Sequence, residues 1–189
     1  MNAMLNVFKR YATLQFAFVA LVALQLTVAI LQRVDQPLRA LAPDESKLDF
    51  QSQYDSSTIQ RIFDAYGQQG RTIYAWDLVV DTFYPVLLSL AAILFILLVV
   101  DNSKWQKLLI LFPLIFAITD VVENAFFLSF LQMYPEFSPI LVSMANFFTR
   151  IKLFAISIIY LELYLFVILT ILIFLLNKLR GVQAKKAVV

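Results

Sequence analysis

The chain has 189 residues, 61% hydrophobic and 15% charged, with a mean hydropathy of +0.80. Soluble domains hold about 45–50% apolar and about 25% charged residues, so this excess points to a lipid bilayer and excludes a soluble enzyme or a disordered chain. A net charge of +2 is too small for a phosphate-tracking surface, which excludes a nucleic-acid partner.

The sequence contains no Cys and no His. Without Cys there is no disulfide framework, thiol nucleophile or thiol redox relay. Without an imidazole there is no His-ligated haem or zinc and no Ser–His triad. Three Gly do not build a phosphate-cradling loop. No cofactor and no metal site are implied, and any chemistry falls to carboxylates, Lys, Tyr, Ser or Thr.

In chain order, the first apolar segment is 11–31, behind Lys9 and Arg10. It is longer than the apolar region of a signal peptide and lacks a clear cleavage site, so it reads as an uncleaved anchor. Residues 32–73 form a polar connection. Within it, Ser56 or Ser57 can cap a helix whose Ile59, Ile62, Phe63 and Tyr66 share one face and which Gly67 and Gly70 end. This short amphipathic helix lies on the membrane surface or lids the bundle, while the stretch around Pro37 and Pro43 reads as irregular chain. The second segment is 74–100, the third 108–131 and the fourth 139–177. Each reaches the ~20 residues needed to cross. The fourth is too long for one crossing and too short for two, so it either projects beyond the bilayer or breaks near Thr149–Lys152. Pro85 and Pro113 are expected to kink their spans.

The predicted fold is therefore all-α: one four-helix transmembrane bundle over 1–189 with a short amphipathic helix in an extracytoplasmic loop. Lys9, Arg10, Lys104, Lys107, Lys178, Arg180, Lys185 and Lys186 gather on one side with only Asp101 against them, whereas 32–73 holds five basic and six acidic residues. The positive-inside rule then puts both termini in the cytoplasm and the first loop outside.

Ionisable residues inside spans are costly and face the bundle interior or a wet cavity. Tyr74, Asp77, Asp81 and Tyr84 follow helical spacing on the second segment, as do Asp120, Glu123 and Asn124 on the third. On the fourth, Asn146, Thr149 and Arg150 are continued by Ser157, Tyr160 and Tyr164, while Lys152 and Glu162 leave that stripe. Between Leu87 and Val100, and between Leu108 and Ala117, Ser89 is the one polar side chain, so the inner half is expected to be dry. Asp77, Asp81, Asp120 and Glu123 face two cations, Arg150 and Lys152. Buried like charges do not all ionise cheaply, so some are protonated, hydrated or matched by a bound cation. The three stripes are expected to line one outward-facing pocket of Asp77, Asp81, Tyr84, Asp120, Glu123, Asn124, Asn146, Arg150 and Lys152. The same residues can equally serve helix–helix packing alone.

The segments Asp120-Val-Val-Glu-Asn124 and Asn146-Phe-Phe-Thr-Arg-Ile-Lys152, with Gly70-Arg71, Tyr74, Asp81 and Pro85, resemble a family of uncharacterised bacterial four-helix integral membrane proteins. That family carries D-x-x-E-N on the third helix and Thr-x-x-Lys on the fourth. The resemblance implies the same architecture and a bacterial inner-membrane location, and brings no known reaction. The layout is also loosely similar to the emopamil-binding/sigma-2-receptor superfamily, which has four main spans, a long first loop and buried carboxylates around a hydrophobic pocket. No catalytic residue is carried over from it. The partners expected are the bilayer itself and a lipid or other hydrophobic small molecule. A structural or partner-binding subunit is the alternative. A small proton-coupled carrier is another, and its four spans would need a homodimer to build a path.

Overall fold

The computed structural model describes residues 2–101 and 103–186, with side chains described for residues 7–101, 104–165 and 168. Six α-helices follow in order: α1 (Asn2–Tyr11), α2 (Leu14–Leu41), α3 (Ser56–Asp81), α4 (Phe83–Val99), α5 (Ser103–Met133) and α6 (Pro139–Lys186). A single 3-10 turn at Leu48–Phe50 interrupts the α2–α3 connection, and there is no strand among the described residues. Among the described residues, four stretches are long and apolar enough to cross a membrane: Leu14–Leu41, Ser56–Val99, Lys104–Met133 and Pro139–Leu165. The described residues are thus all-helical, with four candidate membrane spans, the make-up of a multi-pass membrane protein.

Several boundaries differ from the sequence reading for local reasons. Thr13, in extended conformation, caps α2 by accepting from Phe16 N at 3.3 Å. The helix then runs through Pro37 to Leu41, past the expected end at residue 31, because Asp35 and Arg39 pair across one turn and Leu38 is buried. Asp55, not Ser56 or Ser57, caps α3, accepting from Thr58 N at 2.7 Å. The amphipathic turn expected over 56–66 forms and ends at Gly67, whose φ of 60° and ψ of −172° are not helical. The helix resumes at once and continues to Asp81. Pro85 sits in the first turn of α4, where its missing N–H is no loss. Thr82, with helical φ of −56° and ψ of −26°, joins α3 to α4. The fourth segment stays one helix through Thr149–Lys152, so it does not break.

Among the described residues, α2 packs on α3 and α4, α4 on α5, and α5 on α6, with α3 also touching α5 and α1 lying on α4. α2 and α6 thus flank an open row. Apolar packing separates into two levels. At the end that carries the α2–α3 connection, Leu38, Leu48, Tyr54, Ile59, Ile62, Phe63, Tyr74, Phe127, Phe130 and Ala145 form one core. At the other end, small clusters around Ile93 and Ile110, Ala20 and Leu94, and Phe116 and Ile159 join the spans pairwise. Between the two levels lies a belt of buried charge.

Candidate functional site

Leu48 is completely buried, and its insertion into the core draws Lys47 and Asp49 inward with it. Lys47 Nζ lies 2.5 Å from Asp77 Oδ2, 3.3 Å from Asp49 Oδ2 and 3.6 Å from Asp35 Oδ1. One ammonium thereby joins α2, the 3-10 turn and α3. Tyr74 donates its hydroxyl to Asp49 Oδ1 at 3.2 Å, and Arg39 Nε donates to Asp35 Oδ2. Burial alone would pull Lys47 down, but the carboxylates of Asp49, Asp77 and Asp35 outweigh it and hold the ammonium above the ordinary lysine range.

A second cluster joins α5 to α6. Lys152 Nζ bonds Glu123 Oε2 and lies 3.2 Å from Asp120 Oδ1. Thr149, one turn earlier, donates to Glu123 Oε1, and the Tyr54 hydroxyl lies 3.0 Å from Thr149 Oγ1. Burial keeps the Tyr54 phenol above the ordinary tyrosine range, so it remains protonated. All five side chains are buried. Asn146 clamps the connection to α6: its Oδ1 accepts from Tyr54 N at 3.0 Å and its Nδ2 donates to Tyr54 O at 2.7 Å.

Asp81 stands apart. Asn124 Nδ2 donates to its Oδ2 at 3.1 Å, and no cation pairs with it among the described residues. Asp81 faces a cavity of about 400 Å³ between α2 and α6. One end of this cavity is charged, lined by Asp35, Arg39, Lys47, Asp49, Asp81, Asp120 and Lys152. The other is apolar, lined by Val28, Leu31, Phe116, Leu153 and Ile156, with Tyr84 and Tyr160 also on the wall. Asp120 Oδ2 and Asn124 Oδ1 are buried and have no hydrogen-bond partner among the described residues. Among the described residues, no group of Asp or Glu is arranged to hold a metal ion.

The nine residues singled out in the sequence fall into three places. Asp81, Tyr84, Asp120 and Lys152 line the cavity. Asp77, Glu123 and Asn124 stand behind it, holding Lys47, Lys152 and Asp81 respectively. Asn146 and Arg150 do not join them; they line a separate surface cavity with Tyr54 and Asp55. The helical wheel explains this division. Thr149 and Lys152, three residues apart, share the inward face of α6, and Arg150 is turned about 100° from Thr149. Lys152, set off the stripe in the sequence reading, is thus on it. The 56–66 helix does not close the cavity either; residues 47, 49 and 50 lie over its charged end.

Sequence reasoning missed Lys47, Asp35 and Asp49. The Asp35/Arg39 spacing was the one local signal that α2 continues past residue 31. Nothing local placed Lys47 beside Asp77, 30 residues away. Comparison with family models, curated proteins and solved structures gives no match to this chain.

Proposed function

We propose that the chain is a bacterial inner-membrane protein, with both termini cytoplasmic, whose cavity holds an amphiphile with a cationic head. Support for the position in the bilayer comes from length. From Leu14 to Leu31, α2 carries no charged residue, and Gln15, Gln25 and Thr27 are its polar ones, before Gln32, Arg33 and Asp35 intervene; that stretch spans about 26 Å at ~1.5 Å per residue, close to a ~30 Å hydrocarbon core. Residues 82–99, which form the Thr82 junction and α4, are of matching length and stop at the same polar belt, as does the uncharged run of α5 from Leu108 to Thr119 that follows Lys104 and Lys107. The cavity then lies at the outer boundary of the core, with its charged end among headgroups and its apolar end among acyl chains. The orientation rests on the basic residues Lys9, Arg10, Lys104 and Lys107 at the opposite end.

The head preference rests on one observation: Asp81 lines the cavity without a cation, while both lysines there are already surrounded by carboxylates. Asp35, Asp49, Asp77, Asp81, Asp120 and Glu123 surround Arg39, Lys47 and Lys152. An ammonium beside Asp81 and the unpartnered Asp120 Oδ2 reduces that imbalance in a partly dehydrated site, where it counts most. Tyr84, Tyr160 and Phe116 suit the flanking methylene chain.

A ligand that binds the folded state raises its stability. An alkylammonium amphiphile should therefore raise the unfolding temperature of the purified protein, and an alkyl sulfate of equal chain length should not. Asp81→Asn keeps the bond to Asn124 and should abolish the difference. Equal responses to both amphiphiles, or an unchanged response in Asp81→Asn, would leave the buried charges as packing devices, the reading that the Glu123–Thr149–Lys152 contacts by themselves favour.

A further inference from the structure

On α6, Phe147, Arg150, Phe154 and Leu161 occupy one stripe at helical spacing, and all four are exposed. Phe147 is 60%, Phe154 61% and Leu161 53% exposed, so this face is turned to lipid. Arg150 makes no hydrogen bond or ion pair with any described residue, and a lone guanidinium on a lipid-facing stripe is unfavourable unless it reaches headgroups or an anion. It lines a cavity of about 440 Å³ together with Gln53, Asp55, Ser56 and Ser143. Asp55 supplies the opposite charge there. The Thr58 backbone N–H and the Ser57 and Thr58 hydroxyls all donate to its Oδ1 and hold the carboxyl down at about 2, so it is ionised at neutral pH. These bonds leave Oδ2 outside the cap.

Arg150 and Asp55 share this cavity without pairing with each other. Their order along the membrane normal is fixed by Asn146, which binds the backbone of Tyr54. Asn146 precedes Arg150 by about one turn, roughly 6 Å along the helix, so Asp55 lies further from the hydrocarbon core than Arg150.

We infer that the cavity between Asp55 and Arg150 is a binding site for one zwitterionic phospholipid bearing a primary ammonium. The phosphate sits on the Arg150 guanidinium, which matches it bidentately. The ammonium lies further out against Asp55. The acyl chains descend over Phe154 and Leu161. This is the order in which phosphate, ammonium and chains occur in such a lipid, and neither an anionic headgroup nor free phosphate satisfies Asp55. The site is separate from the α2–α6 cavity and does not depend on what that cavity binds.

Native mass spectrometry of the full chain in detergent tests it, with phosphatidylethanolamine and phosphatidylglycerol of identical acyl chains as probes and free phosphate as a third. Wild type should retain phosphatidylethanolamine preferentially, with one lipid per chain and no phosphate adduct. Arg150→Gln should weaken that adduct about tenfold or more, as loss of a charge-assisted contact implies. Asp55→Asn keeps the helix cap, since Asn caps as well as Asp, and should remove the preference between the two lipids while leaving a lipid bound. Thermal unfolding of both variants close to wild type would confirm that the fold is intact. Equal binding of both lipids by wild type, or an adduct unchanged in Arg150→Gln, means an annular lipid only and overturns the inference, as does a phosphate adduct of equal strength.

Discussion

Lys47 reaches Asp77 across 30 residues of sequence, with Nζ 2.5 Å from Oδ2. That one bond ties the α2–α3 connection to the end of α3 and closes the charged end of the cavity. Removing the cation would leave Asp35, Asp49 and Asp77 facing one another, and breaking a buried pair in this way costs ~3–5 kcal/mol. Lys47→Met should therefore lower stability by about that amount in thermal or denaturant unfolding.

The pH dependence has a defined sign. The Lys47 ammonium is held above its ordinary range in the folded state. Its contribution is therefore complete below the unfolded lysine value of ~10.4 and is lost as pH climbs from there through the higher folded value. Wild type should lose stability over that alkaline window, and Lys47→Met should lose less because the linked proton is gone. Parallel declines in the two proteins would show that Lys47 is not the group responsible.

Lys152 and Arg150 are two residues apart and should behave in opposite ways. Lys152 is buried between Asp120 and Glu123, whereas Arg150 is exposed. Lys152→Met should cost ~3–5 kcal/mol, and Arg150→Ala should stay within ~0.5 kcal/mol of wild type, as surface substitutions do. A double-mutant cycle with Glu123→Gln should show coupling to Lys152 and none to Arg150. This reverses the expectation from charge counting alone, in which Arg150 was one of two cations balancing the buried carboxylates.

The contrast also shows what the sequence could carry. Span number, the polar stripes of the second and third segments and the near-absence of polar side chains in the other half of the bundle were legible, because helical periodicity is a local property. The Asp81–Asn124 bond joins two such stripes. The fourth stripe was read one position off, since Asn146, Thr149, Arg150 and Lys152 fit two overlapping helical faces and only packing against α5 selects one. Lys47 was not legible at all: a basic residue in a polar connection looks solvated until Leu48 is known to be buried.

In the apolar half, Ser89 Oγ donates to Pro113 O at 2.7 Å, a buried bond between α4 and α5. Side-chain hydrogen bonds between membrane helices average about 0.6 kcal/mol, so Ser89→Ala should be only slightly destabilising. A loss beyond ~2 kcal/mol would mean that the bond holds the Pro113 region of α5 in shape rather than merely joining two helices.

Gly67 sets the direction in which α3 presents Tyr74 and Asp77 to Lys47. Its φ of 60° and ψ of −172° lie in a region essentially restricted to glycine, where an L side chain costs ~1–3 kcal/mol. A Cβ there would meet nothing within 4 Å, whereas at Gly70 it would come 2.7 Å from the Tyr66 Cβ. The two glycines are thus required for different reasons, backbone conformation at Gly67 and close approach at Gly70. Gly67→Ala should destabilise by ~1–3 kcal/mol and weaken the coupling between Lys47 and Asp77. D-alanine at Gly67, introduced by semisynthesis, has the mirror-image preference and open space for its methyl group, so it should restore stability to wild type or slightly above through a less free unfolded chain. Equal losses with L- and D-alanine would place the requirement in side-chain packing and rule out the backbone explanation.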